Sequence, residues 1–326
     1  EFSKLASIGH IDYNSIGADE DENLRIYSEN AISVFSFSND RMVSIDQREI
    51  GMILWSRRNE KLEFIFTQDG RIRSCIKGKT AARHLKEFRF ECVYQGAKEP
   101  YPNTSRNVDL HKTSLFFISS ALNLIEMNTT KIYSAIMEKK VKDEAAMREL
   151  EVEIAKDVED FYVDRANSNL WILTSKGKIY KRGDEVNGVY AGYLVQAKNW
   201  TCIYKANSCL IATGFSAASG EVHYAHYAEN TANIKHFAVK SEFPVMRMRS
   251  FETQSKNTYV LAVYFKKFVD LIVENGGRIH PISVHVQVTE SRKDWISSAL
   301  AMKNSDGQSL IYLSGSSWVK SLSLTS

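Results

Sequence analysis

Apolar and polar residues alternate along most of the chain, or run apolar for five or six positions, with turn residues between the runs. That is strand period and strand length. The clearest stretch is 160–182, DFYVDRANSNLWILTSKGKIYKR. It reads as a short apolar strand, loop chemistry at 166–169, the buried-type run LWILT, a tight turn at Lys176-Gly177 and an alternating KIYK. The turn residues tolerate φ > 0 or bond their own backbone, as a two-residue hairpin requires. One hairpin cannot bury its apolar face alone, so this one belongs to something larger.

The same phrase recurs. Strands are predicted at 33–38, 41–46, 51–56, 62–67 and 71–77, and again at 114–120, 122–127 and 131–136, with 128–130 as a turn. Further groups fall at 201–205, 210–214 and 221–225, then 259–265, 268–273 and 278–282, then 296–302, 309–314 and 318–322. The anchors Leu170, Leu210, Leu261 and Leu310 recur at about 40 to 50 residues, a propeller-blade period and not that of a helical or leucine-rich repeat. One segment breaks the pattern. Residues 137–158 are rich in Glu, Lys, Ala and Met, lack Gly and Pro, and space Met147, Leu150, Ile154 and Val158 by three or four. That spacing predicts an α-helix near 138–158 with a narrow apolar stripe.

The fold class expected is therefore all-β: a single domain over 1–326, a β-propeller of about seven blades, with a helical insertion at 137–158. Radial repetition of four-stranded blades disposes of sheet edges in so long an all-β chain. Two stacked β-sandwich domains are the alternative. In spacing and strand content the chain resembles a divergent WD40-like β-propeller. The Gly-His and Trp-Asp signatures of ordinary repeats are degenerate: Gly9-His10 stands alone, and Trp55 and Trp318 sit on candidate strands with no Asp after them. The resemblance implies a scaffold, of the kind found at the head of nucleoporin-like and vesicle-coat-like proteins.

Composition narrows this only a little. With 326 residues, 44% hydrophobic and 25% charged, the chain has the balance of a globular protein. A net charge of +3 gives no global argument for nucleic acid. No apolar run approaches the roughly 20 residues of a spanning helix. Opening on Glu1 rather than Met points to a piece of a longer chain. Cys75, Cys92, Cys202 and Cys209 show no metal-ligand spacing, and a cytoplasmic or nuclear location is expected. Three Asn-x-Ser/Thr sequons, at Asn103, Asn128 and Asn199, are about the chance number.

Candidate chemistry is sparse. His223 and His226 are three apart on one predicted strand, so they face opposite sides and cannot share a metal. His280 and His285 meet the same objection. No nucleophile-elbow, phosphate-loop or dinucleotide motif occurs, so no enzyme, cofactor or metal is expected. The most uneven charge lies at Arg71, Arg73, Lys77, Lys79, Arg83, Lys86 and Arg89, a patch for an acidic partner or for phosphate. Its bland reading is a solvated blade edge. The stripe Met147, Leu150, Ile154 and Val158 would pack on the chain's own side or receive a partner helix. The function expected is a non-enzymatic docking scaffold for other protein subunits. The alternative is a propeller that binds nucleic acid or phosphoinositide through 71–89.

Overall fold

A computed structural model describes residues 53–67, 108–138, 148–186, 209–228 and 234–252 continuously, and elsewhere chiefly the strands named below. The described strands form seven four-stranded antiparallel sheets. Contact clustering divides the chain into two compact units: Ala6–Lys156 with Ser317–Val319, and Glu1–Leu5, Asp157–Ser316 and Lys320–Ser326 together.

After β1 (Phe2–Lys4), the first unit contains three sheets. They are β2 (Tyr13–Ala18), β3 (Leu24–Ser28), β4 (Ala31–Ser36) and β5 (Arg41–Asp46); then β6 (Ile53–Arg58), β7 (Leu62–Thr67), β8 (Arg71–Ile76) and β9 (Cys92–Gln95). The third is β10 (Val108–His111), β11 (Ser114–Ile118), β12 (Leu124–Asn128) and β13 (Glu151–Ala155), with helix α1 (Thr129–Met137) between its last two strands. Alternation places Leu62, Phe64, Phe66 and Ile72 on one side of their sheet. There they pack with Val108, Leu110, Leu115, Phe117, Ile125 and Met127 of the next. Phe64, Phe66 and Phe117 are fully buried, and each such side chain contributes about 2–3 kcal/mol through burial.

Helix α1 corrects two expectations. Residues 131–136 are helical, not a third strand. The Asn128 side chain accepts hydrogen bonds from the N–H groups of Thr130 (3.0 Å) and Lys131 (3.1 Å), so it caps a helix and does not sit in a strand turn. Ile132 and Ile136, four apart, bury one face in the core, and the Lys61 ammonium sits 4.9 Å above the Tyr133 ring. Nor does the expected helix fill 138–158. Ala146 and Arg148 are helical, but Leu150 lies in a turn, Ile154 on strand β13 and Val158 on the strand that follows. The three-and-four spacing arises because two short strands meet at Lys156-Asp157, where Asp157 takes φ +55°. Met147 lies outside the described residues. The stripe is therefore not one helical face, and its reading as a groove for a partner helix falls with it.

The second unit contains β14 (Val158–Asp164), β15 (Asn169–Thr174), β16 (Lys178–Lys181) and β17 (Val189–Tyr190); then β18 (Asn199–Ala206), β19 (Cys209–Ser216), β20 (Glu221–Ala228) and β21 (Ile234–Lys240). Next come β22 (Val245–Glu252), β23 (Thr258–Tyr264), β24 (Val269–Asn275) and β25 (Arg278–Ile282). The last sheet pairs β26 (Ser298–Lys303), β27 (Ser309–Ser314) and β28 (Val319–Ser323) with β1, Phe2 opposite Leu322. The chain's first strand thus completes its last sheet.

A register shift recurs near the start of five leading strands: at Tyr13/Ser15, Ile53/Trp55, Val158/Asp160, Trp200/Cys202 and Val245/Arg247. In β18, Trp200 opposes Gly214 and Cys202 opposes Thr213, leaving Thr201 as the extra residue. Trp200 and Cys202, two apart, consequently face opposite sides. Trp200 packs with Trp171, Leu173, Leu210 and Ala212, whereas Cys202 packs with Ile211, Tyr224, Val245 and Met248.

Candidate functional site

The basic stretch begins on β8. Arg71 pairs with Gln95 and Arg73 with Val93 on one side and Ile65 on the other. By alternation Arg71 occupies the face opposite Ile72, which lies in the core. Arg71 is half-buried. Lys77, Lys79, Arg83, Lys86 and Arg89 lie outside the described residues, so the fold brings together only the first two members of the patch. In the other candidate site, Leu150 packs against the core of the first unit, and Val158 is fully buried.

The best-defined ionic arrangement is one that sequence reading did not find. It joins neighbouring strands β14 and β18. The Asp160 carboxylate accepts from the Ile203 N–H at 2.8 Å. Two residues on, the rings of Tyr162 and Tyr204 meet edge to face, 5.1 Å between centroids. Two further on, the Lys205 ammonium donates to Asp164 at 2.7 Å, with the side chains 8% and 11% exposed. The other Asp164 oxygen accepts from the Ala166 N–H at 3.1 Å, closing the turn into β15. Burial alone would raise the Asp164 pKa. The Lys205 ammonium and the turn's donors outweigh it and hold the carboxyl below its ordinary value. Nothing in the sequence pairs Asp164 with Lys205, because the link spans two sheets whose relative register no local pattern encodes.

The histidines divide as expected. His223 opposes Gly214 and shares the Ala212 and Trp200 side, while His226 opposes Ile211 on the other and is buried. Among the described residues no group of three or more His, Cys, Asp or Glu side chains could hold a metal ion. No described helix is long and apolar enough to cross a membrane.

No protein-family model matches the chain, and no curated protein sequence does. Solved structures do. A chain of the S. cerevisiae complex of Dbp5 with Nup159, Gle1, IP6 and ADP superposes with a TM-score of 0.64 at 8% identity, covering 100% of this chain and 94% of that one. The WD40 β-propeller domain of Doa1 gives 0.59 at 12%, covering 99% and 96%. The WD40 domain of Toxoplasma gondii coronin gives 0.61 at 9%, covering 98% and 85%. The chain folds as a WD40-like β-propeller. In this propeller the described sheets are blades, and β14 and β18 are the leading strands of consecutive ones. The Asp160, Tyr162 and Asp164 row is accordingly an interblade seam. It tells how the blades are held, while identity this low shows the fold alone.

Proposed function

We propose that this propeller, taken as one domain over 1–326, is a non-enzymatic docking platform for other protein subunits of a larger assembly. The observation that carries the reading is what its buried ionic groups do. Asp160, Asp164 and Lys205 are engaged with backbone and with one another across a blade seam. They hold neighbouring strands together and so stiffen a frame. Recognition then falls to loops and outer strands held on that frame. The S. cerevisiae structure to which the chain is similar is itself an assembly of several proteins. We read the location as cytoplasmic or nuclear, in keeping with the buried side chains of Cys202 and Cys209. The basic residues Arg71, Arg73, Lys77, Lys79, Arg83, Lys86 and Arg89 are the candidate contact for an acidic partner.

Affinity capture on the purified chain from its native source tests this, with Arg71→Glu/Arg73→Glu/Lys77→Glu alongside. Stoichiometric protein subunits that persist at moderate salt support the platform. Their loss in the triple variant assigns the contact to the basic stretch. Capture of RNA, DNA or phosphoinositide alone, weakening steeply with salt, refutes it and favours a phosphate-binding propeller.

A further inference from the structure

The outer strands β20 and β21 carry a histidine pair that neither strand reveals alone. In the register His223 opposes Ala238 and Ala225 opposes His236, so the two histidines are diagonal neighbours on one face. Their rings stack at 18°, with centroids 5.4 Å apart, and His223 Nδ1 lies 3.2 Å from His236 Nε2. Two nitrogens bound to one tetrahedral zinc ion at 2.0–2.1 Å stand about 3.3 Å apart. The pair already holds that bite.

The surroundings favour ligation. Glu221 Oε2 lies 3.8 Å from His223 Nε2, and Glu221 Oε1 is anchored 2.9 Å from the Lys240 ammonium. A carboxylate on the Nε2 side favours the tautomer protonated there, which turns the Nδ1 lone pair towards His236. His236 is solvent-exposed, so an ion has an entry path.

We propose that His223 and His236 form a divalent transition-metal site, of zinc type, on the outer strands of this blade. Two imidazole nitrogens supply half the coordination sphere, and water or a donor from a bound partner supplies the rest. Protons compete with the ion for imidazole nitrogen, so binding weakens on acidification. Glu221 and Lys240 are the charged groups that face the pair.

The test is calorimetric titration of the full, tag-free chain with ZnCl2 at about pH 7.5. His236→Phe and His223→Phe keep a stacking ring but remove the donor, and circular dichroism checks that each remains folded. One ion per chain is expected, with affinity at least tenfold weaker in each Phe variant and unchanged in His10→Ala. No one-to-one binding tighter than about 1 mM overturns the site. So does wild-type affinity in either Phe variant, or an equal loss in His10→Ala. The result is independent of whether the platform reading stands.

Discussion

Replacing Lys205 by Met probes the β14–β18 seam most directly. Methionine keeps the length and the apolar stem contacts of lysine but removes the ammonium, leaving Asp164 11% exposed and unpaired. Removing one partner of a buried pair costs about 3–5 kcal/mol. Asp164 still accepts from Ala166 and is not wholly dry, so we expect the lower end, about 3 kcal/mol. Unfolding entropy near 2.1 cal/mol/K per residue gives about 0.7 kcal/mol/K for this length, so Tm falls by about 4 °C. In Asp164→Asn/Lys205→Met no charge is left buried, and most of the loss should return, a coupling of about 2 kcal/mol. The sign of the pH dependence is a second check. A carboxylate whose folded pKa is depressed adds stability above its unfolded value near 3.9, and this is lost as pH falls below it. In Lys205→Met only the Ala166 and Asn167 hydrogen bonds still oppose burial, so the Asp164 pKa rises. The gap between wild type and variant should therefore close on acidification, as Asp164 protonates in both. Thermal melts followed by circular dichroism from neutral to acid pH read both effects. A loss under about 0.5 kcal/mol, or a gap independent of pH, would show that the seam is solvated and the argument wrong.

Other expectations follow from single positions. Gly177 and Gly183 both have positive φ, at 77° and 81°, but a Cβ on Gly177 would lie 2.3 Å from Trp200 Nε1 while one on Gly183 meets nothing. Gly183→Ala should lower stability by about 1 kcal/mol through backbone strain alone, and Gly177→Ala by roughly 1–3 kcal/mol more, measured by urea titration. Metal-free His236→Phe should flatten the stability profile below about pH 6.5. The depressed pKa of His236, from burial and then His223, means the native fold disfavours the charged ring, so the wild type loses stability as pH falls through the unfolded value. Deleting residues 1–5 removes β1 and its three residue pairs with β28. We expect a loss of about 1–3 kcal/mol in thermal melts, together with a greater tendency to associate through the uncovered strand.

Much of the fold was legible because it is written locally. Leu170, Leu210 and Leu310 each take the second position of a second strand, in β15, β19 and β27, so their spacing marks the repeat. Lys176-Gly177 is the turn its chemistry required, with the Gly177 N–H donating to Thr174 at 2.9 Å. What escaped depends on partners distant in the chain. The 131–136 stretch alternates like a strand, and only the Asn128 cap and the shared burial of Ile132 and Ile136 decide for helix. Of the fourth strands, β5 and β25 were legible, whereas β9, at four residues, and β17, at two, are too short to show a period. His236 was missed because β21, with its IKHFAVK sequence, was not recognised as a strand. The basic stretch was visible as composition, but only Arg71 and Arg73 receive a place in the fold.

The repeated bulge explains why simple alternation misreads the leading strands, and it makes a sharp prediction. By period two, Trp200, Cys202 and Tyr204 share a face; the structure sets Trp200 apart from the other two. Thr201 absorbs the change of parity, its hydroxyl 3.0 Å from that of Thr213. Deleting Thr201 makes Trp200 and Cys202 consecutive, and consecutive residues naturally face opposite sides. The deletion therefore leaves Trp200 opposite Gly214 and Cys202 opposite Thr213, losing only the hydroxyl contact and the local twist, about 1–2 kcal/mol. Deleting Ile203 instead reverses the faces of everything before it. It forces Trp200 out of its apolar cluster, and removal of a buried aromatic alone costs about 3–5 kcal/mol. Melts followed by tryptophan fluorescence distinguish the two. Cooperative unfolding should persist without Thr201 and fail or shift far lower without Ile203. Equal damage from both deletions would mean that the bulge does not set which face each leading-strand residue takes.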